Sequence, residues 1–327
     1  MKVPQLNYKY MNLTITIALF FSLFLAGSVW YKGFFSLQVF LNMFIDNAFL
    51  IVTSVGMTFV LIIGGIDISI GAVIALVCMF SANLLEVRQW SPALVIPLML
   101  AIGCLFGLVQ GVFIHYFKMQ PFIVTLAGMF LARGLCYVIS IDTVLITDPF
   151  YQWMATYRIP LPFHTFISFS VVIAVVVLAL AFYILGYTRF GRTAYAIGGN
   201  EQSALLMGLP VGRTKVLVYT LNGCCSALGG IVFSFYMLSG YGLHAVGLEM
   251  DAIASVVIGG TPLTGGIGFV TGTLFGVLIQ GVIQTLIMFQ GTLSSWWTKI
   301  AIAFLLCVFI ILQRLIMARK EGRKSIA

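Results

Sequence analysis

Residues 92–117 pass without one Asp, Glu, Lys or Arg, and similar uncharged blocks recur along the whole chain. A helix needs about 20 apolar residues to cross the hydrocarbon core of a bilayer. Ten stretches approach that length, near 11–30, 46–63, 70–86, 92–117, 121–140, 165–186, 214–237, 248–260, 267–288 and 295–313. Most are apolar on every side, unlike the surface helices of a water-soluble globule. A β-barrel is excluded, because its strands would alternate apolar and polar residues. Composition agrees: charged types make up 8% of the chain, against about 25% in an average soluble domain. The expectation is an all-α polytopic membrane protein of about ten transmembrane helices, one transmembrane domain over 1–327. The first span, 11–30, is read as retained, because no small-x-small cleavage site precedes Tyr31 and Lys32.

The net charge of +8 does not point to nucleic acid, because the basic residues stand at segment edges and tails, where they set orientation. With both termini cytoplasmic, Lys2, Lys9, Lys118, Arg189, Arg192, Arg213, Lys215, Arg314, Arg319, Lys320, Arg323 and Lys324 fall inside, twelve of seventeen. Lys32, Arg88 and Arg158 fall outside, and Arg133 and Lys299 lie within spans. Residues 249–258 make only about 15 Å of helix. They are counted as crossing, a broken helix completed by loop, because otherwise the basic C-terminal tail would lie outside. In this topology 141–163 faces the periplasm. The most polar internal stretch, 187–215, faces the cytoplasm, and its core, 202–208, reads as a short helix capped by Asn200 and ended by Gly208 before Pro210. Six cysteines, Cys78, Cys104, Cys136, Cys224, Cys225 and Cys307, sit in apolar runs without a C-x-x-C pair, and are read as small buried hydrophobes.

Two copies of G-G-x-x-[IL]-[ST]-x-G stand 195 residues apart: Gly64, Gly65, Ile68, Ser69 and Gly71, then Gly259, Gly260, Leu263, Thr264 and Gly266. Paired glycines inside apolar sequence break a helix, and a nearby Ser or Thr satisfies the freed backbone groups. Pro262 removes a donor in the second copy. Broken helices in two halves of a membrane protein point to a transport pathway; close helix packing is the alternative. A second echo, G-x-L-F-G at Gly103 and Gly272, is offset by 169 residues. The glycines of its first copy, with Gly111, are assigned to packing. Asp67 lies in the first break, where it either caps the following helix or faces the path, and Arg133 is deep enough to need an acidic partner or a polar solute. Asp251 and Lys299 stand near span ends. Candidate pathway residues are Asn47, Gly64, Gly65, Asp67, Ser69, Gly259, Gly260, Thr261, Thr264 and Gln280.

The chain has no P-loop, no H-E-x-x-H, no G-x-S-x-G and no metal-like histidine spacing. Neither catalytic machinery nor a cofactor is expected. A transporter without its own engine either couples to an ion gradient or borrows ATP hydrolysis from a partner. Residues alone leave both open, together with an intramembrane enzyme or scaffold.

The runs GGIDISIG (64–71), AIGGN…ALLMGLPV (196–211) and DAIASVVIGGTPLTGGIG (251–268) resemble the permease subunits of bacterial ABC sugar importers of the ribose type, in order and over nearly the whole chain. DNAFL (46–50), GMTFV (56–60) and QGTLSSWWTKIAI (290–302) are similar to the galactofuranose permeases within that family. The resemblance implies an inner-membrane subunit that pairs with a second permease, identical or related. It implies docking to an ATPase with two fused or paired ABC modules, and delivery of sugar by a periplasmic binding protein. It makes 187–215 the coupling segment, carried by Gly199, Asn200, Ala204, Met207 and Gly208; Pro210 departs from the expected pattern and stiffens the loop's exit.

Overall fold

A computed structural model describes residues 8–292, 294 and 296–324, with side chains from Asn12 to Ile311. Lys2, the side chains of Lys9 and of the basic tail from Arg314 onward, and Leu293 and Ser295 of the 290–302 motif lie outside the described residues. Helix α1 spans Tyr8–Trp30, α2 Leu37–Asp46, α3 Ala48–Ile62 and α4 Ile70–Ala82, the last prolonged by a π turn over Asn83–Val87. Then come α5 Pro92–Tyr116, α6 Pro121–Ile139, strand β1 Val144–Leu145, α7 Pro149–Thr156, and strands β2 Arg158–Leu161 and β3 Thr165–Ser168. The second half holds α8 Phe169–Tyr187, α9 Arg189–Gly199, α10 Glu201–Leu206, α11 Val211–Met237, β4 Ser239–Gly240, α12 Leu248–Ile258, α13 Val270–Gln290 and α14 Trp296–Lys324.

Each of the ten expected stretches contains a helix, but not all have full membrane length. Among the described residues, seven helices are long and apolar enough to cross a membrane. Bent onto α2 by 59°, α3 makes an eighth, and Trp296–Ile311 is a shorter apolar helix. At 15 and 11 residues, α3 and α12 rise only about 22 and 16 Å. They fall short because each runs into one of the Gly-Gly pairs. The bend between α2 and α3 sits at Asn47, which ends one helix and begins the next.

Local chemistry sets the helix starts. Proline stands at the first turn of α5, α6 and α7, where the missing N–H has no helical partner to lose. Asp148 caps α7 by accepting from the amides of Phe150 and Tyr151 at 2.9 and 3.2 Å. The segment 141–163 is therefore ordered. β1 pairs antiparallel with β4, Val144 opposite Gly240, and β2 pairs with β3 in a hairpin.

At the centre stands α3, where every residue except Phe49 is buried, packed by α11, α12 and α8. α5 crosses α11 closely through the glycines assigned to packing. Gly103 lies against Gly223 and Ala227, Gly107 against the Tyr219 and Thr220 backbone, and Gly111 against Val216. Such small-residue stripes let two helix backbones approach where apolar burial alone cannot drive association. Cys78, Cys136 and Cys225 are buried as expected, whereas Cys104 and Cys224, which meet between α5 and α11, are half-buried and Cys307 is exposed.

Candidate functional site

The first Gly-Gly pair ends α3. Gly64 adopts φ +77°, a left-handed turn open to glycine, and the chain then runs without helix to Ser69 at the start of α4. Within this run Asp67 is 2% exposed and its carboxylate is fully engaged. Oδ1 accepts from the Ser69 amide at 2.8 Å and the Ser69 hydroxyl at 2.6 Å. Oδ2 accepts from Asn222 Nδ2 of α11 at 2.6 Å. Gln110 Nε2 of α5 donates to Ser69 Oγ at 2.9 Å. A buried charge persists only with such hydrogen-bonded company. The network fastens the first break to α5 and α11. Asn222 and Gln110 were not among the expected site residues; their signal was one amide in each of two apolar spans, where a polar group is seldom idle.

The second pair ends α12. Gly259 lies against the Gly272 backbone of α13 with no room for a side chain, and Gly260 turns the chain at φ +96°. Thr261 is buried and its hydroxyl has no partner, whereas Thr264 is exposed. Gly265 and Gly266 follow at φ +78° and +79°. The Gly266 amide then donates to the Ile62 carbonyl, the last residue of α3, at 2.9 Å. Gly64 packs beside the Thr264 carbonyl. Two segments 195 positions apart in the chain thus touch, backbone to backbone.

The polar segment 187–215 joins the same point. Thr188 caps α9 by accepting from the Gly191 amide at 3.1 Å, and the other end of α9 reaches the breaks. Gly198 abuts the Ile62 carbonyl and the Gly266 amide. The Tyr195 hydroxyl donates to the Gly268 carbonyl at 2.7 Å; burial pushes that hydroxyl up to about 12, so it keeps its proton. Asn200 caps α10 by accepting from the Ser203 amide at 2.8 Å. The helix covers Glu201–Leu206, ending two residues before the expected 208, and Gly208 closes the turn at φ +73°. Ala204 is buried, while Leu206 and Met207 are 90% and 66% exposed and Leu205 stands beside them. Lys215 Nζ of α11 meets Glu201 Oε1 at 2.6 Å, tying the tip to a long helix.

The remaining expected residues lie elsewhere. Asn47 is buried, donating to the Met43 carbonyl at 2.9 Å. Gln280 is buried, donating to the Asp251 carbonyl at 2.9 Å, with Oε1 unpartnered. Asp251 forms an ion pair with Lys299. Arg133, expected to meet an acid or a solute, lies within electrostatic reach of the Glu249 carboxylate of α12 and donates to the carbonyls of Gly242 and His244, both at 2.6 Å, because the irregular segment 238–247 presents backbone oxygens there. Among the described residues no group of three metal-ligating side chains stands together. The arrangement is mechanical: two helix breaks in contact, and a polar segment seated on the contact with an apolar tip turned outward.

A family model described as branched-chain amino acid transport system / permease component matches residues 39–311. Inner membrane ABC transporter permease protein YjfF of Escherichia coli (strain K12) is 47% identical over 313 residues, 96% of this chain and 95% of that protein. Fructose import permease protein FruG of Bifidobacterium longum (strain NCC 2705) is 39% identical over 334 residues, 99% of this chain and 97% of that one. Ribose import permease protein RbsC of Haemophilus influenzae (strain ATCC 51907 / DSM 11121 / KW20 / Rd) is 36% identical over 293 residues, 88% of each. No solved structure matches. Nothing among these relatives supports an ion-coupled transporter. Coverage this complete, on a bundle rich in apolar helices of membrane length, places the chain in the branched-chain amino acid transport system / permease component family as a multi-pass inner-membrane permease subunit.

Proposed function

We propose that this chain is the permease subunit of an ATP-driven ABC importer for a small sugar, working by alternating access and performing no chemistry on its cargo. One observation carries the reading: α9 rests directly on the junction of the two breaks, while α10 holds an apolar tip away from it. Both termini and 187–215 face the cytoplasm by the distribution of basic residues, and 141–163 faces the periplasm. ATP closes a separate ATPase with two fused or paired modules against Gly199, Asn200, Met207 and Gly208, while the buried Ala204 seats α10 from behind. Displacement of α10 is passed through α9 to the Ile62–Gly266 contact, and the segments carrying Gly64, Gly65, Asp67, Ser69, Gly259, Gly260, Thr261 and Thr264 rearrange around the path. Asn47 at the α2–α3 junction and Gln280 of α13, both buried, brace the helices beside it. The bundle pairs with a second permease, identical or related, and a periplasmic binding protein delivers the sugar. Fructose and ribose are what two relatives import; the runs at 46–50, 56–60 and 290–302 favour galactofuranose.

Sealed vesicles decide the matter. With ATPase, second permease and binding protein present, ATP drives accumulation of labelled sugar; with this subunit alone it does not. Accumulation by the lone subunit on a proton or sodium gradient would overturn the reading.

A further inference from the structure

The residues expected to meet the cargo are mostly sealed. Asp67, Ser69, Thr261, Asn47 and Gln280 are all buried, and the Asp67 oxygens are spent on three donors. A different cluster, at the other end of the bundle, has the composition a sugar requires. α11 is 27 residues long, so Met237 stands about 40 Å from the α10 tip. There the last turn of α11, the first turn of α3 and the segment 238–247 bring aromatic rings together. The Phe49 ring lies 5.0 Å from Phe233, near perpendicular, and 6.0 Å from Tyr236. His244 lies 5.5 Å from Phe233 and 5.8 Å from Tyr241. Asp46 lies close enough to act on the Tyr236 hydroxyl electrostatically.

We propose that Phe49, Tyr236, Tyr241 and His244, with the Asp46 carboxylate beside them, form a monosaccharide contact site on the permeation path. The proposal rests on the chain being a sugar permease and adds where the sugar touches it. Asp46 is exposed, and a carboxylate at a helix junction does not face hydrocarbon, so the face it shares with Tyr236, itself 55% exposed, is wet. The outward faces of α5 and α6 are by contrast apolar, as at Leu105, Phe130, Leu131 and Val138, and suit lipid. The cluster is also held in place. His244 Nε2 pairs with Ser239 Oγ at 3.1 Å, and the His244 and Gly242 carbonyls are clamped by Arg133. Leu238 and Ala245 keep left-handed backbones at φ 49° and 56°, a strain that persists only where surroundings impose it. Finally, a monosaccharide has an apolar C–H face and a rim of hydroxyls. Aromatic rings match the first, and carboxylate, phenol and imidazole match the second.

The test uses the assembled importer, with its ATPase and binding protein, in sealed vesicles. Tyr236→Ala and Asp46→Asn each lower ATP-driven uptake of D-ribose, D-fructose or D-galactofuranose, whichever the wild type moves, by about tenfold, the loss of one good aromatic or charged contact. Hydrolysis stimulated by the loaded binding protein stays within about twofold, because the coupling path is untouched. Tyr236→Phe keeps most of the uptake. In parallel, Tyr236→Cys reacts with a membrane-impermeant maleimide above the wild-type background and sugar slows the reaction, whereas Leu131→Cys does not react. Unchanged uptake in both Tyr236→Ala and Asp46→Asn, or a Tyr236→Cys variant as silent as Leu131→Cys, overturns the site while the importer reading stands. A wild-type complex that moves none of the three sugars overturns that reading, and the site falls with it.

Discussion

Gly198→Ala is the sharpest probe of the link between the polar segment and the helix breaks. A methyl group at this position overlaps the Ile62 carbonyl oxygen and the Gly266 amide nitrogen. Both are backbone atoms, and they are acceptor and donor of one hydrogen bond of 2.9 Å, so no rotamer change relieves the clash. Overpacking of this kind costs about 1–3 kcal/mol, and the hydrogen bond contributes about 1 kcal/mol. The joined arrangement is therefore disfavoured by roughly 2–4 kcal/mol, a shift of ~30- to ~1,000-fold in its population. The assay is sugar accumulated per ATP hydrolysed by the reconstituted importer. Hydrolysis is expected to continue while the ratio falls by at least ~30-fold. Gly186→Ala is the control, since a methyl group there meets nothing within 4 Å, and it keeps the wild-type ratio. A wild-type ratio in Gly198→Ala would refute the idea that motion crosses this contact.

Further outcomes are expected elsewhere. Gly208→Glu puts a side chain where φ is +73° and a charge beside the Leu206 tip; the subunit inserts, but co-purification with the ATPase is lost, and normal sugar-stimulated hydrolysis would count against the docking role. Asp67→Asn removes the charge that three donors share, at a cost of roughly 2–4 kcal/mol. It shortens the half-life of the detergent-solubilised protein at fixed temperature and leaves the uptake KM unchanged; a raised KM with normal half-life would instead put Asp67 in contact with cargo. Gly107→Leu drives a side chain into the Tyr219 backbone and lowers folded yield severalfold by overpacking, whereas Gly134→Leu, facing open space, leaves yield unaltered.

Much of this was legible in the sequence because lipid imposes a simple rule, length of apolar run, that needs no partner to read. The seven helices of full membrane length and the Asn200 cap of α10 follow from neighbouring residues, whereas α3, α12 and Trp296–Ile311 fall short of the full spans expected of them. What sequence could not convey is which interruptions meet. The Ile62–Gly266 bond and the seat of Gly198 upon it depend on three distant segments, and a backbone contact places no demand on residue type beyond the absence of a side chain. Arg133 was half anticipated, for a related reason. Its depth advertised a charged partner, and Glu249 lies within electrostatic reach, but its hydrogen-bond acceptors are main-chain oxygens of Gly242 and His244, which every residue carries. The two-residue ladder between Val144–Leu145 and Ser239–Gly240 is too short to leave any periodic trace.

The tip of α10 has a consequence for the life of the protein in the cell. Leu206 stands almost wholly in the open, with Leu205 and Met207 alongside, and a bare greasy patch of this kind invites aggregation and surveillance. Surplus copies, synthesised beyond the supply of whatever covers them, carry their own degradation mark. The abundance of this chain should therefore track its companion's gene dosage rather than its own.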